Sequence, residues 1–506
     1  MLFCIFATVL KYPAERMSLW RNLIPILCLC FCCAISFLNP SYKVLTPKEW
    51  HDLNIDTYFS QEQNIEKTNM VRSGFRNIIS IQETDPQLAL ALFFDLKNNY
   101  QDNFDSYPSP CTKLLDLYEC NIKRSNIELL PSSTTMSKSI AFSFVYFVFQ
   151  IIFGIAMYFS LRTRKEIRQC IYVIAINAGL LAIIGIIQKI NYVPHDHLKE
   201  IFGIWDTPEP RYFYSSFTYK NHWSCFAIVS LFLTLAILHY QLNHAKQKLT
   251  HDFKTFVLLG IVFCIIISIP HSGSRSGILI LASGFVLLAF VKILNLLRSK
   301  TKVNSTFLFF STFAICCILA FSFSLNRETT KEMQVNTLTQ LDVLSDGKLP
   351  MRLLLWQDLL NQIKKKTAWG HGFDSYRAVN PIFQSYQVRK MRSSGLKHAH
   401  HKYTPLVGHG HNDILELISE FGIWMFLILC IYPLIAFSRI LHCPSSFPKF
   451  CLLAFLAYLC FSLIDFPSRT PACLLICVTS LALSIRYAQL STSHSVSKFK
   501  LPSRNM

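Results

Sequence analysis

Five histidines fall within fourteen residues, at positions 398, 400, 401, 409 and 411, and the last stands at the mouth of a membrane-length apolar run. The segment His409-Gly410-His411-Asn412-Asp413 leads directly into that run. If Asn412 caps a helix, His411 lies just before its positive end, where the field disfavours an imidazolium. A neutral imidazole can accept a proton, which is the task of a general base. Keeping an ionisable group at a membrane edge costs free energy, so it points to function. The plainer alternative is a solvated interfacial histidine. A zinc or copper site is the rival use of His398, His400, His401 and His409. Their spacing matches no closed structural site and carboxylates nearby are scarce, so no metal is assigned.

Three arginines could receive an anion. Arg275 sits in Pro270-His271-Ser272-Gly273-Ser274-Arg275-Ser276-Gly277, a turn between two apolar runs. Its guanidinium and the adjacent amides could together embrace a phosphate. Snorkelling to the interface is the bland reading. Arg211 opens the aromatic stretch Arg211-Tyr212-Phe213-Tyr214, which continues to Phe217-Thr218-Tyr219-Lys220-Asn221-His222. It reads equally as a second phosphate clamp or as part of an interfacial aromatic belt. Arg352 begins a segment with Leu353, Trp356, Leu360 and Ile363 on one helical stripe and Lys364, Lys365 and Lys366 at its end. That pattern predicts an amphipathic helix lying on a membrane surface, with Arg352 a third anion candidate. Trp369-Gly370-His371-Gly372-Phe373 after it reads as a glycine-hinged turn.

These residues need a scaffold, and composition says which kind. Only 16% of the 506 residues are charged and 52% are apolar. A soluble chain carries about 25% charged residues. Ten apolar runs approach membrane-spanning length, near 20–38, 139–160, 170–188, 222–240, 255–270, 277–297, 305–323, 414–437, 450–466 and 471–488. The expectation is an all-α, polytopic membrane helical bundle of about ten transmembrane helices. The net charge of +19 is spread through short loops without a repeating aromatic-basic surface, so nucleic acid is not a partner.

Those bases set the orientation. With ten crossings, Arg162 to Arg168, Lys246 to Lys254, Lys292 to Lys302, Arg439 with Lys449, and the tail from Arg486 to Arg504 all fall on one side. The positive-inside rule makes that side the cytoplasm. The other side receives 39–138, 189–221, 271–276 and 325–411, and with them Arg211, Arg275, Arg352 and His411. The loop 325–411 has a surplus of bases, which would draw anionic substrates or headgroups.

The domain expectation follows: 1–38 an anchor or signal-like span, 39–138 an outer insert without a motif, 139–324 the first membrane segment, 325–411 a large outer loop, 412–488 the last membrane segment, and 489–506 a basic tail. Within the insert, Pro86 marks a helix near 86–97. Most cysteines lie in apolar runs and act as small hydrophobes. Cys111 and Cys120 lie in the polar insert and could close a small disulfide in an oxidising compartment.

Taken together, Phe217 to His222, Ser274-Arg275-Ser276-Gly277, Arg352 with Trp356, Gly370-His371-Gly372-Phe373, His411-Asn412-Asp413-Ile414-Leu415-Glu416 with Glu420 and Gly422, and Asp465-Phe466-Pro467 resemble the O-antigen ligase and polymerase family of bacterial inner-membrane glycosyltransferases. The resemblance covers roughly 140–490. It implies an integral-membrane glycosyltransferase fold with large periplasmic loops. It also implies transfer of a glycan from an undecaprenyl-diphosphate carrier to a hydroxyl of a glycan, lipid A core or protein, at the periplasmic face of the inner membrane and without a metal or other cofactor. On this resemblance His411 is the base and Arg275, Arg211 and Arg352 hold the diphosphate, while Asp465, Asn412 and Glu416 support them. The insert at 39–138 departs from the family's usual core. The runner-up is a transporter or a flippase for the lipid-linked glycan. Transporters place broken helices and charges near the bilayer midplane, whereas the unusual residues here gather at one face.

Overall fold

The computed structural model describes residues 13–104, 109–135, 137–190, 213–244, 253–299, 349–394 and 406–499, with a two-strand hairpin (Glu200–Ile201 and Trp205–Asp206) and isolated positions 335 and 338. Helices cover nine of the ten apolar runs. They are α1 (Pro13–Leu38), α7 (Lys138–Ser160), α8 (Arg164–Ile190), α9 (Lys220–His244), α10 (Phe253–His271), α11 (Arg275–Ser299), α15 (Asp413–Leu441), α16 (Phe447–Ser462) and α17 (Pro471–Phe499). The tenth run, 305–323, lies outside the described residues. Among the described residues, six helices are long and apolar enough to cross a membrane, and Leu23–Leu38, Arg275–Phe290 and Phe447–Ser462 are shorter apolar segments. Apart from that hairpin the described residues form helices and their connections, and the chain is a helical, multi-pass membrane protein.

Chain contacts divide it into two compact units, one of 1–16, 150–348 and 432–506, the other of 17–149 and 349–431. In the first, α9 is central. It packs against α8, α10, α11, α16 and α17. Its side chains are buried nearly all round, from Trp223 through Ile237, as an interior helix requires. Its polar residues are small, and Thr234 returns its hydroxyl to the Ser230 carbonyl at 2.7 Å, which keeps a polar group satisfied in apolar surroundings.

The second unit contains a small helical domain built from the insert. Its helices are α2 (Pro47–Asp52), α3 (Ile55–Gln61), α4 (Ile65–Ile81), α5 (Pro86–Asn103) and α6 (Pro110–Ile122). Three of them begin alike. Thr46, Asp85 and Ser109 cap the first turn with a side-chain oxygen, and a proline follows at the first helical position. There the missing N–H costs nothing and φ is already helical. Val71, Phe75 and Ile78 recur at helical spacing and pack with Phe93, Leu114, Leu115 and Tyr118 in one core. The domain's two ends meet. Ser41 and Tyr42 donate their N–H groups to the carbonyls of Ser133 and Thr134 at 2.8 Å, and Arg124 donates to Ser41 at 3.0 Å.

The later loop joins this domain. Helices α12 (Met351–Lys365), α13 (Tyr376–Phe383) and α14 (Tyr386–Ser394) belong to the same unit. Ala378 enters the domain core, and Asn98 donates to the Pro381 carbonyl at 2.6 Å. Arg389 pairs with Asp102 through two nitrogens at 2.6 and 2.8 Å, Arg392 with Asp95 at 2.9 Å, and Arg377 with Asp85 at 3.5 Å. The surplus charge expected of the 325–411 loop is therefore partly neutralised from the insert.

One expectation is corrected. Cys111 and Cys120 are both free. They lie nine residues apart on α6, about 13 Å along the axis at 1.5 Å per residue, beyond disulfide reach. On α12 the buried face is Leu354, Leu355, Asp358, Leu359 and Gln362. The stripe of Leu353, Trp356, Leu360 and Ile363 is rotated away from it, and Leu360 is exposed. The helix thus has one face packed on the protein and a second apolar stripe turned away from it.

Asp95 and Arg392 are almost fully buried. Removing one partner strands the other charge, which costs about 3–5 kcal/mol. Asp95→Ala should lower the unfolding midpoint of the detergent-solubilised chain accordingly. An exposed control such as Asp56→Ala should leave it within about 0.5 kcal/mol.

Candidate active site

Helix α11 starts at a turn made by Gly273, whose φ of +77° lies in the left-handed region. Ser274 caps the helix, its hydroxyl accepting from the Gly277 N–H at 3.1 Å. The same hydroxyl donates to Asn221 Oδ1 at 2.7 Å. Asn221 Nδ2 in turn donates to the Asp465 carboxylate and, at 3.0 Å, to the Tyr219 hydroxyl. Asp465 is buried and accepts the Phe466 N–H at 3.0 Å. The Tyr219 and Phe466 rings lie parallel, 5.8 Å apart. His222 Nδ1 meets Thr470 Oγ1 at 2.6 Å. Three separate stretches of sequence thus meet at Asn221, all within the first unit. Arg275 occupies the first helical position beside this junction, with its side chain exposed. Gly277 lets α11 close on α9, because a Cβ there would lie 2.7 Å from the Ser224 Cβ. Arg211 lies outside the described residues. The stretch after it folds as a tight turn, with Tyr214 and Phe217 exchanging backbone hydrogen bonds at 2.9 Å and Tyr214 stacked on Trp223.

The second unit carries the histidine segment. Asn412 caps α15 by accepting the Leu415 N–H at 3.0 Å, so His411 does stand immediately before the positive end of a helix. His411 is half-buried and itself adopts φ +52°, uncommon for a side chain with a Cβ. Its carbonyl accepts from Trp356 Nε1 at 3.2 Å. Glu416, fully buried one turn into the helix, reaches back along the chain. One carboxylate oxygen accepts the Gly410 N–H at 2.8 Å, and the other lies 3.1 Å from His409 Nδ1. Arg352 lies in the first turn of α12, half-buried, four residues before Trp356. His398, His400 and His401 lie outside the described residues.

Helix α15 is broken at Gly422, where φ is +71° and ψ 172°. The backbone groups freed by the break are taken up by the turn and loop at 367–372. His371 N donates to Ser419 O at 2.9 Å and Gly372 N to Glu420 O at 2.8 Å, while Ile423 N donates to Thr367 O at 2.9 Å. The approach is too close for side chains. A Cβ on Gly422 would meet the Ala368 carbonyl at 2.3 Å, and one on Gly370 the Glu420 carbonyl at 2.4 Å. The Gly-His-Gly-Phe sequence is therefore a clip, not a hinge. Phe373 locks it among Phe144, Phe147 and Phe421.

Two titrating groups flank the clip. His371 is buried and donates from Nε2 to the Gln362 carbonyl at 3.1 Å. Burial pushes its pKa down to about 4, and nearby Lys366 adds to the shift. Burial also lowers the pKa of Lys366, whose ammonium donates to the hydroxyls of Ser132 at 2.8 Å and Ser41 at 3.2 Å. Asn412 and Glu416 are both polar groups of the histidine turn, as their positions at the helix start lead one to expect. That Glu416 faces His409, and that Gln362 and Ser419 bond at 2.9 Å beneath the clip, is not evident from the sequence. The available signals were the carboxylate one turn inside the helix and a glycine in mid-span.

The depressed His371 pKa fixes a pH dependence. An unfolded chain protonates this residue near pH 6.5 and the folded chain only near 4. Its contribution to stability is complete above about 6.5 and is lost as pH falls towards 4, at up to about 1.4 kcal/mol per pH unit. Unfolding midpoints measured from pH 7.5 to 4.5 should fall more steeply for wild type than for His371→Gln. At Gly422, Gly422→Ala should cost about 2 kcal/mol or more from strain and the carbonyl clash, read as a loss of monodisperse protein on size exclusion.

Compared as a whole, the chain matches no curated protein. The sequence model of the family described as O-antigen ligase matches residues 260–430. That span takes in Arg275, Arg352, the clip, His411 and Gly422, and leaves out Asn221 and Asp465. Over residues 260–430 this membrane protein is thus similar to the O-antigen ligase family, the family its motifs resemble.

Proposed function

We propose that the protein transfers a glycan from an undecaprenyl-diphosphate carrier to an acceptor hydroxyl at the periplasmic face of the bacterial inner membrane. The family match over 260–430 carries this reading, since an O-antigen ligase joins a lipid-linked glycan to an acceptor. Both principal candidates lie within the match, each at the start of a helix, Arg275 at the first position of α11 and His411 just before the cap of α15.

The chemistry asks for two things. The diphosphate leaves as an anion, and fixed guanidiniums offset its developing charge. Arg275 supplies one, with Arg211 and Arg352 as further clamps. The attacking hydroxyl must lose its proton, and the imidazole of His411 accepts it. Sequence position singles out His411 for this role. Asp465 orients the Arg275 side through Asn221, and Asn412 and Glu416 hold the histidine turn. A single displacement inverts the anomeric centre and needs no metal. The acceptor is a sugar, lipid A core or protein hydroxyl.

Loss of one such charge-stabilising group costs about 100- to 1,000-fold in rate. Arg275→Ala should show a loss of that size in vesicles supplied with lipid-linked glycan extracted from cells lacking the protein, with membrane insertion unchanged. In the deletion strain, lipid-linked glycan should accumulate on the outer leaflet. Accumulation on the cytoplasmic leaflet would instead support the flippase reading.

A further inference from the structure

Leu129 is 86% exposed, the most exposed large apolar side chain among the described residues. Its neighbours Ile127 and Leu130 are 60% and 40% exposed. Scattered exposed leucines are ordinary, but three large apolar side chains within four residues form a patch, and such patches mark contact surfaces. The patch is not loose. Asn39 Nδ2 donates to the Ile127 carbonyl at 3.0 Å and to the Pro131 carbonyl at 3.2 Å, and its Oδ1 accepts the Ile127 N–H at 3.0 Å. Leu130 N donates to Ile127 O at 3.1 Å and closes a turn, while Asn126 donates to the Ser41 hydroxyl at 3.0 Å. One side chain thus grips both ends of the tip and holds it out.

The place where the tip is held says what covers it. Asn39 is the first residue after the apolar helix α1, whose last residue, Leu38, is 74% exposed. On the other side, Pro131 leads to Lys138, which opens α7, a helix long and apolar enough to cross a membrane from Ile140. Pairing of Pro40 with Ser133 ties the chain leaving α1 to the chain entering α7, so the two helix ends lie at one level and the tip branches from it. At that level the boundary between headgroups and acyl chains receives apolar side chains. The charges agree. Arg124 before the tip and Lys138 after it are exposed, and bases at a bilayer edge keep their heads among the phosphates. The acid in the tip, Glu128, lies within electrostatic reach of the Lys366 ammonium, which offsets its charge.

We propose that the tip 127–130 is a membrane anchor of its own, seating its apolar side chains in the leaflet where α1 ends and α7 begins and so holding the insert domain down on the lipid. The anchor is independent of the transfer reaction. It gives the domain a further point of attachment besides the two helix ends.

The test uses the full-length protein in vesicles of phosphatidylethanolamine and phosphatidylglycerol, with photoreactive p-benzoyl-phenylalanine placed at single positions. Position 129 should give lipid adducts on illumination, as should position 31, where Phe31 of α1 is 68% exposed. Position 65 is the remote control. Ile65 is 76% exposed and follows Glu62, which accepts the Cys111 N–H. That contact lies about 16 Å along α6 from the Ile122 carbonyl that accepts from Lys43 beside the tip's base. Position 65 should give about tenfold less lipid adduct than position 129. A second readout needs no label. Ile127→Asp combined with Leu129→Asp changes only exposed side chains, and in vesicles it should speed amide exchange across 127–130 about tenfold as the tip leaves the lipid. Adducts from position 129 to protein, whether a second copy or another chain, would overturn the lipid assignment. So would a position 129 without lipid adducts while position 31 is labelled, equal labelling at position 65, or unchanged exchange in the double variant.

Discussion

A helix that crosses lipid may not leave its backbone groups unpaired, because no water is present to take them. Helix α15 breaks this pattern at Gly422, and much of the second unit's geometry answers that break. The segment 367–372 is drawn against the helix to accept and donate at Ser419, Glu420 and Ile423. Its glycines follow from the closeness of that approach, and Phe373 from the need to fix its far end. Once the clip is seated, α12 before it and α13 after it are placed as well. Gln362 reaches Ser419, and the Tyr376 N–H meets Glu420. The histidine turn at the start of the same helix inherits this fixed base.

The same economy of polar groups governs the first unit. Ser274 caps a helix with its lone pair and spends its proton on Asn221, which passes the connection to Asp465 and Tyr219. Each group has a partner, as buried polar groups must. A chain of short side chains thus ties α9, the start of α11 and the end of α16 together without any long, flexible residue.

Much of this is written plainly in the sequence. The apolar runs foretold helices at nine sites, and the Asn412 cap was readable because a polar residue precedes a long apolar run. The helix at Pro86 was readable from the proline at its start and the Ala/Leu/Phe pattern that follows. The proline signal at Thr46-Pro47 and Ser109-Pro110 went unused, because short helices in a polar segment carry little periodicity. Other features were not legible. The buried face of α12 depends on what packs there, and its sequence offers two apolar stripes. The ion pairs of Arg377, Arg389 and Arg392 join residues about three hundred positions apart, and no local pattern records such a meeting. Glycines at 370 and 372 look like a hinge until the carbonyls that crowd them are known.

The joined ends of the insert give it the outline of a cassette, a domain that could be lifted out by closing Ser41 onto Ser133. Its interior says otherwise. Ala378 is part of its core, and its aspartates neutralise arginines of a segment nearly three hundred residues later. The two stretches are halves of one folding unit. Excising the insert would strip an apolar face and strand the buried Arg392 guanidinium in what remains. A truncated chain would therefore report the collapse of α13 and α14, whatever the excised domain contributes in its own right.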